Sequence, residues 1–217
     1  KFVEYKKKQM CWSAPVSFAT LALGTAGNAA AYLFVRRSDP RGALILAYWQ
    51  FTLQMLLVEG LAWTSLDRGA ESVLASRAAM LYNVLQPVAL ALVVWGTGSA
   101  ATRALPAVLL YVVLVGTEFS EMWAASASVA PAPGCAHLDL GWWSPGRAAV
   151  YVAASAICFL DLADAFWRVL HLALFLVTFV ASVSLYPCGG GSMWCWTIAA
   201  SGPVTAMAHG ARRRLRA

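Results

Sequence analysis

Seven runs of mostly apolar residues, separated by short polar links, fill nearly all of the chain between Ser13 and His209. A helix needs about 20 such residues to cross the hydrocarbon core, where each backbone N–H and C=O must be satisfied within its own segment. The runs are Ala14–Val35, Ala43–Leu66, Ala78–Gly98, Ala104–Trp123, Ala148–Phe166, Val169–Tyr186 and Met193–His209. Alanine, leucine and valine dominate them, which suits helices, and none shows the alternation of a membrane barrel strand. Hydrophobic residues make up 60% of the chain and charged residues 12%, against roughly a quarter charged in an ordinary soluble domain. The pattern predicts an all-α fold, a polytopic membrane helix bundle of about seven transmembrane helices. Residues 13–209 form its single domain, between a basic N-terminal extension (1–12) and a basic C-terminal tail (210–217).

One boundary has no breaker. From Ala148 to Tyr186 there is neither Gly nor Pro, yet a single helix of that length would far outrun the bilayer. A turn is therefore expected within Asp161–Arg168, where polar residues concentrate; without it the count falls to six.

Lysine and arginine placement sets direction. With the C-terminus cytoplasmic, or on the organellar equivalent, that side holds Arg36, Arg37, Arg41, Arg103, Arg168, Arg212, Arg213, Arg214 and Arg216. The opposite side holds Arg68, Arg77 and Arg147, together with Lys1, Lys6, Lys7 and Lys8. The four lysines oppose an outside N-terminus unless residues 1–9 are an extension. On this topology Trp12, Trp63, Trp123, Trp142, Trp143, Trp194 and Trp196 lie at the outer interface, and Trp49, Trp95 and Trp167 nearer the inner one. That is the arrangement of anchoring belts.

The same topology puts Cys11, Cys135, Cys188 and Cys195 on the outer side and Cys158 within a span. Four cysteines on one oxidising face allow two disulfides in three connectivities, and free thiols are the even alternative. Zinc is the weaker reading, since there is no CxxC and only His137 lies nearby.

The run Met10-Cys11-Trp12-Ser13-Ala14, followed by an apolar helix, resembles the opening of a family of uncharacterised multi-pass membrane proteins whose chains begin Met-Cys-Trp-Ser. Gln86-Pro87, the loop Cys135…Trp142-Trp143, Trp167-Arg168 with His171, and Trp194-Cys195 extend the similarity in order along the chain. It implies that Met10 matches the usual start, leaving Lys1–Gln9 as an extension. His137 is displaced from the loop tryptophans relative to the family pattern. The family brings no activity with it.

Ionisable groups inside a bilayer cost about 2.5–3.5 kcal/mol each at a helix centre, so each needs a partner, a water cavity or a role. Glu59 lies in the outer half of the second run. Glu118 and Glu121 lie near the outer end of the fourth, about one turn apart. Asp161 and Asp164 have the same spacing near the inner end of the fifth, followed by Arg168 and His171. If Glu59 and Glu118 share an interior, repulsion favours a shared proton or a bound cation. An Asp–Arg–His set at the other end would exchange protons near neutral pH. The competing structural readings are snorkelling to the interface and an Asp161–Arg168 ion pair fastening a hairpin. Gln86 is expected to bond the carbonyl that Pro87 leaves open, in preference to a substrate.

Several chemistries lack their residues. All lysines fall within the first eight positions, so no span offers a retinal Schiff base. His137, His171 and His209 are too scattered for a multi-His zinc site or bis-His haem. Neither a Gly-x-Ser-x-Gly elbow nor a His-Glu-x-x-His helix occurs. No residues identify a cofactor or a catalytic group. The tail Arg212–Arg216 reads as a topology anchor and an anionic-lipid contact, not a nucleic-acid site. Three functions stay open. The first is a small proton- or cation-coupled transporter or channel using Glu59, Gln86, Glu118, Glu121, Asp161, Asp164 and His171. The second is a structural or assembly subunit that meets other membrane subunits or its own copies. The third, an enzyme acting on a lipid-like substrate, is the least supported.

Overall fold

A computed structural model describes residues 13–66, 68–127, 129–131, 138–185 and 190–216. Nine α-helices are found among them: α1 (Ala14–Val35), α2 (Pro40–Leu53), α3 (Met55–Ser65), α4 (Ala70–Gly96), α5 (Ala104–Ala125), α6 (Pro145–Leu160), α7 (Ala165–Leu185), α8 (Gly190–Thr197) and α9 (Ser201–Arg216). Helices α2 and α3 meet at Gln54, whose N–H turns back to the Phe51 carbonyl while its φ and ψ stay helical. A short 3-10 turn, Ile198–Ala200, joins α8 to α9. The result is seven rods, as the apolar runs predict, with a two-stranded antiparallel ribbon (β1, Val129–Pro131; β2, Leu138–Leu140) between α5 and α6.

Five rods are long and apolar enough to cross a membrane: α1, α2 with α3, α4, α5 and α7. Helix α6 is apolar but only 16 residues long. The chain is thus an integral membrane protein with a helical bundle fold. The expected turn falls at Asp161–Asp164, ending α6 sooner than the predicted Phe166. Helix α4 begins at Ala70, well before the predicted Ala78, and so includes Arg77, whose guanidinium carbon lies 4.3 Å from the Trp123 ring centroid. Helix α9 runs on through the basic residues to Arg216. Residues 1–12 lie outside the described residues.

Local signals set several helix starts. Asp39 accepts from Gly42 N–H at 3.1 Å with Pro40 in the first turn of α2, and Ser144 accepts from Arg147 N–H at 3.3 Å ahead of Pro145 in α6. Both pair an N-cap side chain with a proline whose missing N–H costs nothing there. Alternate links gather at one end. Ser38 meets His209 at 2.9 Å, Asp161 meets the start of α5, and Arg212 of α9 reaches Asp164 at 2.7 Å. This is the end that carries Arg36, Arg37, Arg41, Arg103 and the α9 arginines, and it is called the basic end below.

Small residues let the rods approach. A Cβ on Gly202 of α9 would lie 2.7 Å from the Asn28 backbone of α1, and one on Gly60 of α3 would lie 2.6 Å from the Phe18 ring. Gly24 of α1 faces Ala199 and Leu53 at 3.1–3.2 Å by the same measure. Between helices in lipid the attraction is packing, so backbone proximity is what holds them. The other faces of α5 and α7 show Leu105, Leu109, Val113, Val177 and Val180 outward, as lipid requires.

Gly202→Ala should therefore separate α1 from α9 and cost about 1–3 kcal/mol, as overpacking does. Gly116→Ala, whose Cβ meets nothing within 4 Å, should be neutral or gain up to about 1 kcal/mol. Thermal unfolding in detergent compares the two; equal midpoints would contradict the tight α1–α9 contact.

Candidate functional site

The carboxylates expected in two interior clusters hold separate structural positions. Asp161 does not pair with Arg168. Its Oδ2 accepts from the Arg103 and Ala104 backbone N–H groups, each at 3.0 Å, and so caps the start of α5 from the α6–α7 turn. Arg168 instead donates to the Leu162 carbonyl from Nε (3.1 Å) and Nη2 (2.8 Å). The hairpin is therefore fastened by a guanidinium on a carbonyl, because Asp161 is drawn to a helix N-terminus that a single rod could not reveal.

Asp164 caps its own helix through Phe166 N–H at 2.9 Å and Trp167 N–H at 3.4 Å, and takes Arg212 at 2.7 Å. Partial burial pushes its carboxyl up. The Arg212 guanidinium and the two N–H donors outweigh this and hold it below its ordinary 3.8. Arg212 lies 3.9 Å from Asp39, and Asp39 accepts the Trp167 indole N–H at 2.8 Å. Asp39 and Arg212 thus complete a clasp joining α2, α7 and α9. Asp39 was visible in the sequence only as a loop residue before Pro40, and its partner stands 128 positions away.

Glu118 and Glu121 do not share an interior with Glu59. Both point to Arg147 at the start of α6, Glu118 at 2.6 Å from Nε and Glu121 at 3.4 Å from Nη2, with side chains 50% and 78% exposed. Their one-turn spacing is real, but it matches one guanidinium and not a cavity. Glu59 is 9% exposed on α3 and stands within electrostatic reach of Cys195 on α8.

His171 joins no aspartate. It is fully buried, and its Nδ1 accepts the Trp49 indole N–H at 3.0 Å. An accepting Nδ1 leaves the ring proton on Nε2, which finds no partner. Trp167 stacks on His171 with centroids 5.5 Å apart and on His209 at 5.9 Å, and Trp49 stacks on Phe159 at 5.8 Å. Burial divides the tryptophans expected in the anchoring belts. Trp49, Trp142, Trp167 and Trp194 are buried, and Trp95 and Trp123 are exposed. Indole area in this protein serves mainly to fill the space between helices.

Further polar groups are buried within the bundle. Gln86 is fully buried beside Pro87. Instead of turning to its own helix it accepts the Tyr151 hydroxyl of α6, and its Nε2 is unpartnered. Tyr151 stands within electrostatic reach of Tyr48 of α2, Tyr111 of α5 and Cys195. Tyr48 also faces Cys158, which in turn feels Asp161. The sequence reading missed Tyr48, Tyr111 and Tyr151, since a tyrosine in an apolar run carries no pattern distinguishing core from surface.

Cys158 and Cys195 are buried and form no disulfide with each other. Cys195 stands within the bundle, not in an outer loop. The other cysteines of the proposed outer set, Cys11, Cys135 and Cys188, lie outside the described residues, as does His137. Among the described residues no three His, Cys, Asp or Glu side chains are grouped to hold a metal ion.

Two outcomes follow from the basic-end capping. Asp161→Ala should cost about 1–2 kcal/mol, the range for a lost N-cap, whereas Asp161→Asn should keep most of the stability; matching losses in thermal melts would point to charge instead of capping. A carboxyl with a depressed folded value stabilises above the unfolded value, here near 3.8, and loses that contribution as pH falls through the folded one. The stability gap between wild type and Asp164→Asn should thus be full at neutral pH and close below about pH 4. A gap constant down to pH 2 would contradict this.

No family model, curated protein or solved structure matches the chain.

Proposed function

We propose that this integral membrane protein conducts protons or a small cation along the line of buried polar side chains that runs from Glu59 to the basic end. The observation that supports this most is the composition of that line. Glu59, Cys195, Tyr151, Gln86, Tyr48, Cys158 and Asp161 come from α3, α8, α6, α4, α2 and the α6–α7 turn; Tyr151 bonds Gln86, and Glu59 stands within electrostatic reach of Cys195, Tyr151 of Cys195 and Tyr48, Tyr48 of Cys158, and Cys158 of Asp161. Two of its hydrogen-bonding atoms, Tyr48 Oη and Gln86 Nε2, are buried without protein partners, as are Ser76 Oγ, Ser155 Oγ and His171 Nε2 elsewhere in the bundle. An unsatisfied buried group costs about 1–3 kcal/mol, and lipid gives no relief, so a bundle that keeps several of them is suited to a polar guest. The role shifts from two carboxylate clusters to a single carboxylate at each end, Glu59 and Asp161, with hydroxyls, thiols and an amide between them. The basic end is cytoplasmic, or its organellar equivalent, on the positive-inside rule. The likeness to the Met-Cys-Trp-Ser family belongs to the same proposal and agrees with a multi-pass membrane protein.

A second reading, a structural or assembly subunit, draws support from the use of Asp39, Asp161, Asp164, Glu118 and Glu121 as caps and ion-pair partners. It predicts fixed partners that co-purify in mild detergent. Nothing in the geometry favours the enzyme reading, because Asp161, Asp164 and His171 face different neighbours.

Proteoliposomes with a trapped pH dye test conduction under an imposed potential. Glu59→Gln should cut proton flux by roughly 100-fold, the lower bound for loss of a positioned proton-transfer group. Glu118→Gln, which alters an exposed ion pair, should leave it unchanged. Wild-type flux in Glu59→Gln, or no flux in the wild type above empty vesicles, would overturn the proposal.

A further inference from the structure

At the basic end, an open cleft of about 520 Å³ lies between the start of α2, the turn after α4 and the last turn of α9. Three arginines line it, Arg41, Arg212 and Arg216, against two aspartates, Asp39 and Asp164. The aspartates are already engaged. Both face Arg212, Asp39 also holds the Trp167 indole and Asp164 caps α7. Arg41 and Arg216 are exposed and make no ion pair with a described residue. The cleft therefore presents two uncommitted guanidinium groups, carried on different helices, beside a floor whose two carboxylates are both turned to Arg212, so arginine outnumbers aspartate in its lining.

Its walls have a second property. The 96–98 turn is Gly-Thr-Gly, with Gly98 at φ +83, so that wall carries almost no side-chain bulk. A Cβ at Gly98 would lie 3.9 Å from Arg41 Nη2. Toward the bundle middle the lining passes to Leu44 of α2, 38% exposed, and the neighbouring face of α4 carries Trp95 and Leu92 at 70% and 61% exposure. Cationic groups at the mouth with an apolar wall leading into the span match an amphiphile better than a free ion.

We propose that this cleft binds the phosphate headgroup of an anionic membrane lipid, with Arg41 and Arg216 holding the phosphate and an acyl chain lying along Leu44. Guanidinium forks fit phosphate oxygens by paired N–H donors, and anionic lipids are concentrated on the cytoplasmic leaflet that the basic end would meet. The site refines the general basic-tail contact expected from Arg212–Arg216. Arg212 is consumed by the clasp, and Arg41, from the first turn of α2, takes its place.

The test is thermal unfolding of the full chain in neutral detergent with added phosphatidylglycerol, phosphatidylcholine of the same chains, or inorganic phosphate. Phosphatidylglycerol should raise the midpoint and phosphatidylcholine should not. Arg41→Gln with Arg216→Gln should bring the phosphatidylglycerol response down to the phosphatidylcholine level. Arg37→Gln with Arg214→Gln, which removes the same charge outside the cleft, should keep the wild-type response. Equal responses to both lipids, an unchanged response in the cleft variant, or an equal loss in both variants would overturn the site. Stabilisation by inorganic phosphate alone, matching that of the lipid, would overturn the lipid assignment.

Discussion

Lipid does not press helices together as water does, and the bundle depends on how closely its backbones can approach. Gly24, Gly60 and Gly202 remove side chains where α1 meets its neighbours, and at Gly202 the α1 backbone comes closer than a methyl group would permit. Where no small residue permits such approach, aromatic rings take up the volume. Trp49, Phe159, His171 and Trp167 pack as one body between α2, α6 and α7. The Trp49–His171 hydrogen bond lets an imidazole serve as part of that filling. The bundle is held by fit, and its polar groups are the places where fit is combined with a directional bond.

The ionisable residues obey the same logic. A charge near a bilayer is tolerated when it answers an opposite charge or the open end of a helix. Asp161 answers the start of α5, Asp164 answers α7 and Arg212, and Arg147 answers two glutamates. These pairings tie successive rods at both ends of the bundle and leave the interior to tyrosine, glutamine, serine and Glu59. A conduction path through such an interior would rely on groups of modest polarity, with one carboxylate at its entrance.

Much of the architecture was legible in the chain. The apolar runs marked the rods, and the polar stretch at Asp161–Arg168 marked a turn that had no Gly or Pro to signal it. The site was legible only in part. Glu118 and Glu121 do share a face, as their spacing requires, but spacing within one helix says nothing about what that face meets. Asp161 and Arg168 suit each other by sequence distance and still choose other partners. Tyr151 and Gln86, 65 positions apart, could be joined only by the packing of α6 on α4.

The sequence by itself determined that this protein lives in a membrane, how many rods it has and where its basic residues collect, because hydropathy and helix length are local properties. Tertiary structure alone decided which carboxylates became caps, which tryptophans went inside and which arginines were left to line a cleft. Those outcomes depend on the rotation of each helix about its own axis. That rotation is set by the contacts of several helices at once, and no single apolar run contains it.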